Sequence, residues 1–148
     1  MPDGPHIISD LLNEKGRDVW SVAPDATVYE AIQRMAQKGV GAVLVMDGMR
    51  LVGILSERDY ARKVILLGKA SVETQAREIM SHPVICVRPD LTIQQAMAVM
   101  TGKRVRHLPV VVADRVEGVI SIGDVVRGVI EDNQSEIQQL RDYIHLRE

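Results

Sequence analysis

The sequence repeats itself at a spacing of 65 residues. Residues 19–65 align with residues 84–130 without a gap, and 17 of the 47 aligned pairs are identical. Near its end, each copy contains the same pattern, Gly-x-x-Ser-x-x-Asp. It reads GILSERD (Gly53–Asp59) in the first copy and GVISIGD (Gly118–Asp124) in the second. Internal duplication of this kind predicts two similar structural units in the 148-residue chain.

Each copy predicts the same order of elements, β-α-β-β-α, preceded by a short helix. The pattern is a strand, a helix that begins at Thr27 or Thr92, two strands joined by a tight turn, and a second helix that begins at Ser56 or Ser121. The predicted first strands are VWSV and VICV, and the short preceding helices are ISDLL and AREIM. We therefore predict an α+β fold of two pseudo-symmetric repeats.

Composition excludes several classes of protein. Eighteen Lys and Arg residues balance 20 Asp and Glu, so no basic surface for nucleic acid is expected. The single cysteine, Cys86, cannot form an internal disulfide. No apolar run reaches the ~18 residues of a membrane helix, and the N-terminus does not resemble a signal peptide. These features predict a cytoplasmic protein that contacts neither nucleic acid nor membrane.

The sequence also lacks the common signatures of an enzyme. It has no phosphate-binding Walker loop and no nucleophile elbow. The four histidines, His6, His82, His107 and His145, do not have the spacing of metal ligands. We expect no catalytic residue, no metal site and no required cofactor.

Two interpretations of the repeated Ser-x-x-Asp are open from the residues alone. Ser as helix N-cap, with an acid three residues later, is a common way to begin a helix. A second feature favours a ligand: Lys103, Arg104, Arg106 and His107 crowd the start of an apolar strand. Cations pair with phosphate and a carboxylate accepts hydrogen bonds from ribose hydroxyls, so a phosphorylated ribonucleoside would suit both features.

The duplicated unit resembles the cystathionine-β-synthase (CBS) domain, and the pair resembles a Bateman module. The residues that carry the likeness are SVAPDATVYEAIQRM and GAVLVMDGMRLVGILSERD in the first copy, and CVRPDLTIQQAMAVM and RVRHLPVVVADRVEGVISIGD in the second. The likeness extends from about Ile7 to Ile130. It is greatest to small stand-alone proteins with two CBS domains. The predicted domains are residues 7–70 and 74–131, followed by a helical extension at 132–148.

The resemblance implies two nucleotide sites in clefts between the repeats. In the family, the aspartate and the preceding Ser or Thr bind ribose, strand residues of the opposite copy face adenine, and a pair before the strand proline faces phosphate. The implied first site comprises Ile54, Ser56, Arg58, Asp59, Pro83, Val84, Ile85, Arg106, His107 and Pro109. The implied second site comprises Val19, Trp20, Gly41, Ala42, Val119, Ser121 and Asp124. Gly41 and Ala42 depart from the phosphate-binding pattern, so the second site is expected to be weaker.

The implied function is a regulatory module that senses an adenosine nucleotide and signals to a separate, unidentified protein. AMP is the favoured ligand, and ADP, ATP, NAD(H) and S-adenosylmethionine are open. Two alternatives are a purely structural dimerisation module without ligand and a nucleotide hydrolase that uses Asp59. We also expect a homodimer, because the apolar residues of the C-terminal segment recur at heptad-like spacing around one asparagine. These positions are Val126, Ile130, Asn133, Ile137, Leu140 and Ile144.

Overall fold

The computed structural model describes residues 6–132, which fall into two compact units. The first, here called the Asp59 unit, comprises Asp18–Cys86 and Val111–Glu117. The second, the Asp124 unit, comprises residues 6–17, 87–110 and 118–132. The heptad positions Asn133, Ile137, Leu140 and Ile144, and the predicted extension that contains them, lie outside the described residues apart from Asp132 at its start.

The described elements follow the predicted α+β pattern. In chain order they are α1 (Ile8–Lys15), β1 (Ser21–Val22), α2 (Val28–Lys38), β2 (Ala42–Asp47), β3 (Arg50–Ser56), α3 (Glu57–Tyr60) with a π-helical turn at Ala61–Ile65, α4 (Ala76–Ile79), α5 (Ile93–Lys103), β4 (His107–Val112), β5 (Arg115–Ser121) and α6 (Ile122–Asp132). No helix in this part of the chain is both long enough and apolar enough to cross a membrane.

A three-stranded sheet forms the centre of the Asp59 unit. Strand β2 lies between β1, to which it is parallel, and β3, to which it is antiparallel. Leu44 pairs with Ile54 of β3, and its N–H donates to the carbonyl of Trp20 at 2.9 Å. Helices α2 and α4 pack their apolar residues on this sheet. The buried core residues are Val22, Val28, Ala31, Met35, Val43, Val45, Leu55, Val64, Ala76 and Ile79.

The Asp124 unit contains the first part of β4, to Val110, and the last part of β5, from Gly118, with helices α1, α5 and α6. The predicted first strand of the second copy, VICV, is wrong: Val87 forms only an isolated bridge with Val110. Position 109 supplies the reason. Leu44 of the first copy donates a backbone hydrogen bond to Trp20, but its equivalent, Pro109, has no N–H to donate. One ladder bond is therefore lost where the first copy forms β1.

The predicted helix caps are confirmed in both copies. Thr27 Oγ1 accepts a hydrogen bond from the backbone N–H of Glu30, and Thr92 Oγ1 accepts one from that of Gln95, each at 3.1 Å. In the second copy the Gln95 side chain also accepts from the Thr92 N–H, which completes a capping box. The two copies therefore share the threonine cap, and the reciprocal bond of a capping box is seen at Thr92 but not at Thr27.

The glycine of each Gly-x-x-Ser-x-x-Asp motif lets a helix approach the strand closely. A Cβ atom at Gly118 would lie 2.7 Å from Leu12 Cδ2 of α1. A Cβ atom at Gly53 would lie 2.7 Å from Met80 Cγ, just beyond α4. Both distances are too short for carbon atoms in contact, so any larger residue forces a shift. Close packing of the short-helix segments against β3 and β5 thus explains why the repeated pattern begins with glycine.

Candidate functional site

Both Ser-x-x-Asp motifs form the N-terminal cap of a helix. Ser56 Oγ accepts a hydrogen bond from the Asp59 N–H at 3.2 Å, and Asp59 Oδ2 accepts from the Ser56 N–H and Oγ, both at 3.0 Å. Ser121 and Asp124 repeat these bonds at 3.2, 2.8 and 2.9 Å. The capping interpretation is therefore correct for both copies. It occupies only one carboxylate oxygen, Oδ2, so it leaves the ligand interpretation open.

Around Asp59, the second carboxylate oxygen has only long contacts. Oδ1 lies 3.2 Å from Lys63 Nζ and 3.3 Å from Ser81 Oγ. The Lys63 side chain is 42% exposed, and its ammonium also donates to the carbonyl of Ile79 at 3.0 Å. The Asp59 side chain is 13% exposed, so the ion pair is half-buried. Both contacts of Oδ1 are at the long end of hydrogen-bond distances and are weaker than shorter ones.

Around Asp124, both carboxylate oxygens are held by cations. Lys15 Nζ lies 2.6 Å from Oδ2, and Arg127 donates to Oδ1 at 3.0 Å. Lys15 also donates to the carbonyl of Val119 at 2.9 Å. Burial raises the pKa of Asp124, but the hydrogen bonds from Lys15 and Ser121 outweigh it and hold this pKa below its ordinary value. Asp124 is a buried and fully engaged carboxylate.

The cationic pair Arg106 and His107 lies beside Asp124 within the Asp124 unit. The carbonyl of Arg106 accepts a hydrogen bond from the N–H of Ile122, the first residue of α6, at 2.8 Å. Burial lowers the pKa of His107; Lys15 and Arg106 lower it further, and the Asp124 charge only partly opposes them. The ring is therefore neutral at pH 7 and can accept or donate a hydrogen bond there.

Gly41 and Ala42 hold the equivalent place in the Asp59 unit. The carbonyl of Gly41 accepts from the N–H of Glu57, the first residue of α3, at 3.0 Å. Each copy thus brings its own pair to its own Ser-x-x-Asp motif. The assignment of Arg106 and His107 to the Asp59 site, and of Gly41 and Ala42 to the Asp124 site, joins residues of different units and stays a prediction.

The residues predicted to face adenine have varied surroundings. Ile54 exchanges two backbone hydrogen bonds with Ser81, so the segment before Pro83 runs beside β3. Pro83 and Val84 line an open cavity of about 910 Å³ within the Asp59 unit, and Ser56 and Asp59 are not among its lining residues. Of the others, Arg58, Ile85, Val19 and Val119 are half-buried and Pro109 is buried.

Trp20 is partly buried against the core of the Asp59 unit. The ammonium of Lys38 lies 4.3 Å from the centre of its ring, which is a cation–π contact. One face of the indole is thus already covered by a residue of its own unit. Packing accounts for Trp20 here, and its predicted place against a base stays a prediction.

Several charged residues of these sites were missed by the sequence reasoning. Lys15 lies outside the 47 duplicated residues, and nothing in its local sequence connects it to Asp124. Lys63 contacts Asp59, but its aligned partner is Gly128, so the duplication gave no signal. Arg127 could have been found, because Arg62 and Arg127 form one of the identical pairs and stand three residues after each aspartate.

Comparison with known proteins gives the class of this chain. The family model described as CBS domain matches it twice, at residues 8–65 and 76–131. The two matches contain both Ser-x-x-Asp motifs and most of the described elements. The chain therefore belongs to the CBS domain family, with two CBS domains in tandem.

Individual relatives agree with this assignment. The mitochondrial CBS domain-containing protein CBSX3 of Arabidopsis thaliana is 40% identical over 147 residues, which cover 93% of this chain and 71% of that protein. The structure of a proposed signal-transduction protein with CBS domains from Burkholderia ambifaria is 45% identical, with a TM-score of 0.83 over 86% of this chain and 96% of that one. The CBS domain protein PAE2072 of Pyrobaculum aerophilum, solved in complex with AMP, is 27% identical, with a TM-score of 0.71 over 80% of this chain and 88% of that one.

Proposed function

We propose that this chain is a non-enzymatic sensor that binds an adenosine nucleotide, AMP in the first place, and signals to a separate protein. The observation that carries the proposal is the Asp59 carboxylate. Its helix cap holds Oδ2 in place, while Oδ1 has only long contacts to Lys63 and Ser81. Such an oxygen can accept hydrogen bonds from the hydroxyl groups of a ribose. The AMP complex of PAE2072 supports AMP as the ligand to test first.

Calorimetry on ligand-free protein tests the proposal. Mass spectrometry of the denatured sample first verifies that no nucleotide is bound, and AMP is then titrated into the full chain. A charge-assisted hydrogen bond contributes about 1.5–3 kcal/mol, so Asp59→Asn should weaken AMP binding roughly 10- to 150-fold. Asparagine retains an oxygen that can accept from the Ser56 N–H, so the helix cap is kept.

The matched control is Glu73→Gln, which removes one negative charge from an exposed turn of the same unit. It should bind AMP as the wild type does. Thermal melting gives a second readout: AMP at 100 times its Kd adds roughly 2.7 kcal/mol and should raise Tm by about 5–10 °C. If AMP, ADP, ATP, NADH and S-adenosylmethionine all fail to bind the ligand-free chain, the structural alternative replaces the sensor. Turnover of AMP or ATP with magnesium would instead indicate the hydrolase.

We further propose that the module is a homodimer. Ile65 and Ile130 occupy equivalent positions in the two copies, and both are exposed, at 57% and 44%. Leu66 and Leu67 extend the first of these apolar patches, and Val126 extends the second. Duplicated apolar patches suit a symmetric contact with a second copy. Light scattering on the full chain should give twice the mass of one chain, and a monomer would contradict the proposal.

A further inference from the structure

The ammonium of Lys15 contacts Asp124, the carboxylate with which the second copy would bind a nucleotide. It is the last residue of α1, and its ammonium lies 2.6 Å from Asp124 Oδ2. A second bond, of 2.9 Å to the carbonyl of Val119, fixes the ammonium from another side. The Asp124 side chain is only 9% exposed and that of Lys15 is 30% exposed. The ion pair therefore joins a buried carboxylate to a lysine that is itself exposed to solvent, between two elements that are far apart in sequence.

The hydrogen-bonding capacity of Asp124 is used up by these contacts. Oδ2 accepts from the Ser121 N–H, from Ser121 Oγ and from Lys15, while Oδ1 accepts from Arg127. An ionised carboxylate offers about four acceptor positions in all. A ribose would bring two hydroxyl donors, and at least one cation would have to leave for them. Displacing Lys15 would remove the shorter of two cation contacts from a buried carboxylate, which is costly.

The equivalent carboxylate of the first copy also has four contacts, but the two on its second oxygen are longer and only one comes from a cation. Asp59 has the same two bonds from Ser56, and its cation, Lys63 of the following π-helical turn, lies 3.2 Å from Oδ1. Its other partner, Ser81 Oγ, is neutral and 3.3 Å away. Contacts of this length are weaker than the 2.6 Å contact of Lys15 with Asp124, so a ligand can replace them at smaller cost. The two copies thus differ in the cations around the carboxylate: Asp124 has Lys15 at 2.6 Å and Arg127 at 3.0 Å, whereas Asp59 has one lysine at 3.2 Å.

We propose that Lys15 is an intramolecular lock that keeps Asp124 from binding ribose, so that the chain takes a single nucleotide, at Asp59. This inference rests on the proposed function, because it concerns the same ligand. Lys15 is then a specificity-determining residue that sets the number of nucleotides bound. Removing its charge opens a second nucleotide site without any change to the motif itself.

AMP titration of four full-length, ligand-free proteins tests the lock. The wild type should bind one AMP per chain and Lys15→Met should bind two. Asp59→Asn should bind AMP weakly, and Lys15→Met in the Asp59→Asn background should bind it roughly 10- to 150-fold more tightly than Asp59→Asn alone. Adding Asp124→Asn to that double variant should abolish the gain. Methionine keeps the length and apolar stem of lysine while removing the charge.

Two controls keep the result interpretable. Lys69→Met removes an exposed lysine charge from the Asp59 unit, away from both aspartates, and should leave one AMP per chain. Lys15→Gln retains a donor for the Val119 carbonyl and should behave as Lys15→Met does. It replaces Lys15→Met in the titrations if Lys15→Met melts below the assay temperature. The lock would be overturned if both Lys15 variants kept the stoichiometry of the wild type, or if they weakened AMP binding in the Asp59→Asn background. Lys15 would then be a ligand of the phosphate or a purely structural residue.

The outcomes also separate this inference from the proposed function. If the wild type binds AMP at Asp59 and the Lys15 variants are unchanged, only the lock fails. If neither the wild type nor any variant binds AMP or the other adenosine ligands, both fail together. If Asp124→Asn in the wild-type background weakens binding as much as Asp59→Asn does, Asp124 is already open and the lock is wrong.

Discussion

The two copies of this chain place the same carboxylate in different electrostatic surroundings. Asp59 and Asp124 share the same helix cap, bond for bond, and their cap distances agree within 0.2 Å. Their remaining partners differ. Asp59 has a lysine at 3.2 Å and a serine, whereas Asp124 has a lysine at 2.6 Å and an arginine. A motif therefore specifies the backbone that presents the carboxylate, and the surrounding residues decide whether the carboxylate is available.

The same contrast is seen in the strands. Leu44 and Pro109 stand at equivalent positions, and the first copy forms β1 where the second has a single bridge. Near each aspartate, Gly41 and Ala42 in one copy are replaced by Arg106 and His107 in the other. The pair beside Asp124 thus includes a cation, Arg106, and the pair beside Asp59 does not. Substitutions at equivalent positions measure how far this difference extends.

The largest expected difference lies at the two motif glycines. Gly53→Ala places a methyl group against the Cγ and Cβ atoms of Met80, whose Cβ cannot move without the backbone. Gly118→Ala meets chiefly the Cδ2 atom of Leu12, the flexible end of a side chain. Overpacking costs about 1–3 kcal/mol, so we expect Gly53→Ala near the upper end and Gly118→Ala near the lower.

Urea unfolding with an unchanged m-value measures both variants. Gly102→Ala is the control, because a Cβ atom there meets nothing within 4 Å. It should be neutral or slightly stabilising, since alanine favours a helix. Equal losses at Gly53 and Gly118 would show that the two helix–strand contacts relax alike.

A smaller difference concerns pH. The pKa of His107 in the folded chain lies below its ordinary value, because burial, Lys15 and Arg106 disfavour the charged ring. The unfolded chain therefore takes up this proton at a higher pH than the folded chain does. The stability contributed by the neutral ring is fully present above about pH 6.5 and is lost as the pH falls through the folded pKa.

His107→Gln should flatten this part of the stability profile, measured as Tm against pH between 7.5 and about 5. His82→Gln, which removes an exposed imidazole from the Asp59 unit, is the matched control and should keep the wild-type profile. A His107→Gln profile as steep as that of the wild type would show that His107 does not cause the loss.

Much of the fold could be predicted from the sequence because it depends on local chemistry. Each helix cap needs only two residues three positions apart, and the order of helices and strands can be predicted within each copy. These caps are at Thr27, Thr92, Ser56 and Ser121. The missing strand at VICV was not foreseen, because it depends on a single N–H absent from Pro109 on another segment.

The candidate site divides in the same way. Both aspartates were found from the duplicated motif, and Arg106 and His107 from the charge at the start of β4. Lys15 was not found, because its contact with Asp124 joins residues 109 positions apart and α1 precedes the duplicated segment. A pattern shows which carboxylates are repeated, but the pairing of a distant cation with one of them is decided by packing.

The smallest expected difference concerns Lys38 and Lys103, an identical pair at the ends of α2 and α5. Lys38 lies over the ring of Trp20, whereas the residue aligned with Trp20 in the second copy is Ile85, which has no aromatic face. Lys38→Met should therefore cost about 0.5–1 kcal/mol and Lys103→Met close to nothing. Trp20 is the single tryptophan of the chain, so its fluorescence reports on this contact without a label. Lys38→Met should shift the emission and Lys103→Met should leave it unchanged. Equal spectra for the two variants, with equal unfolding midpoints, would show that the cation–π contact does not distinguish the copies in solution.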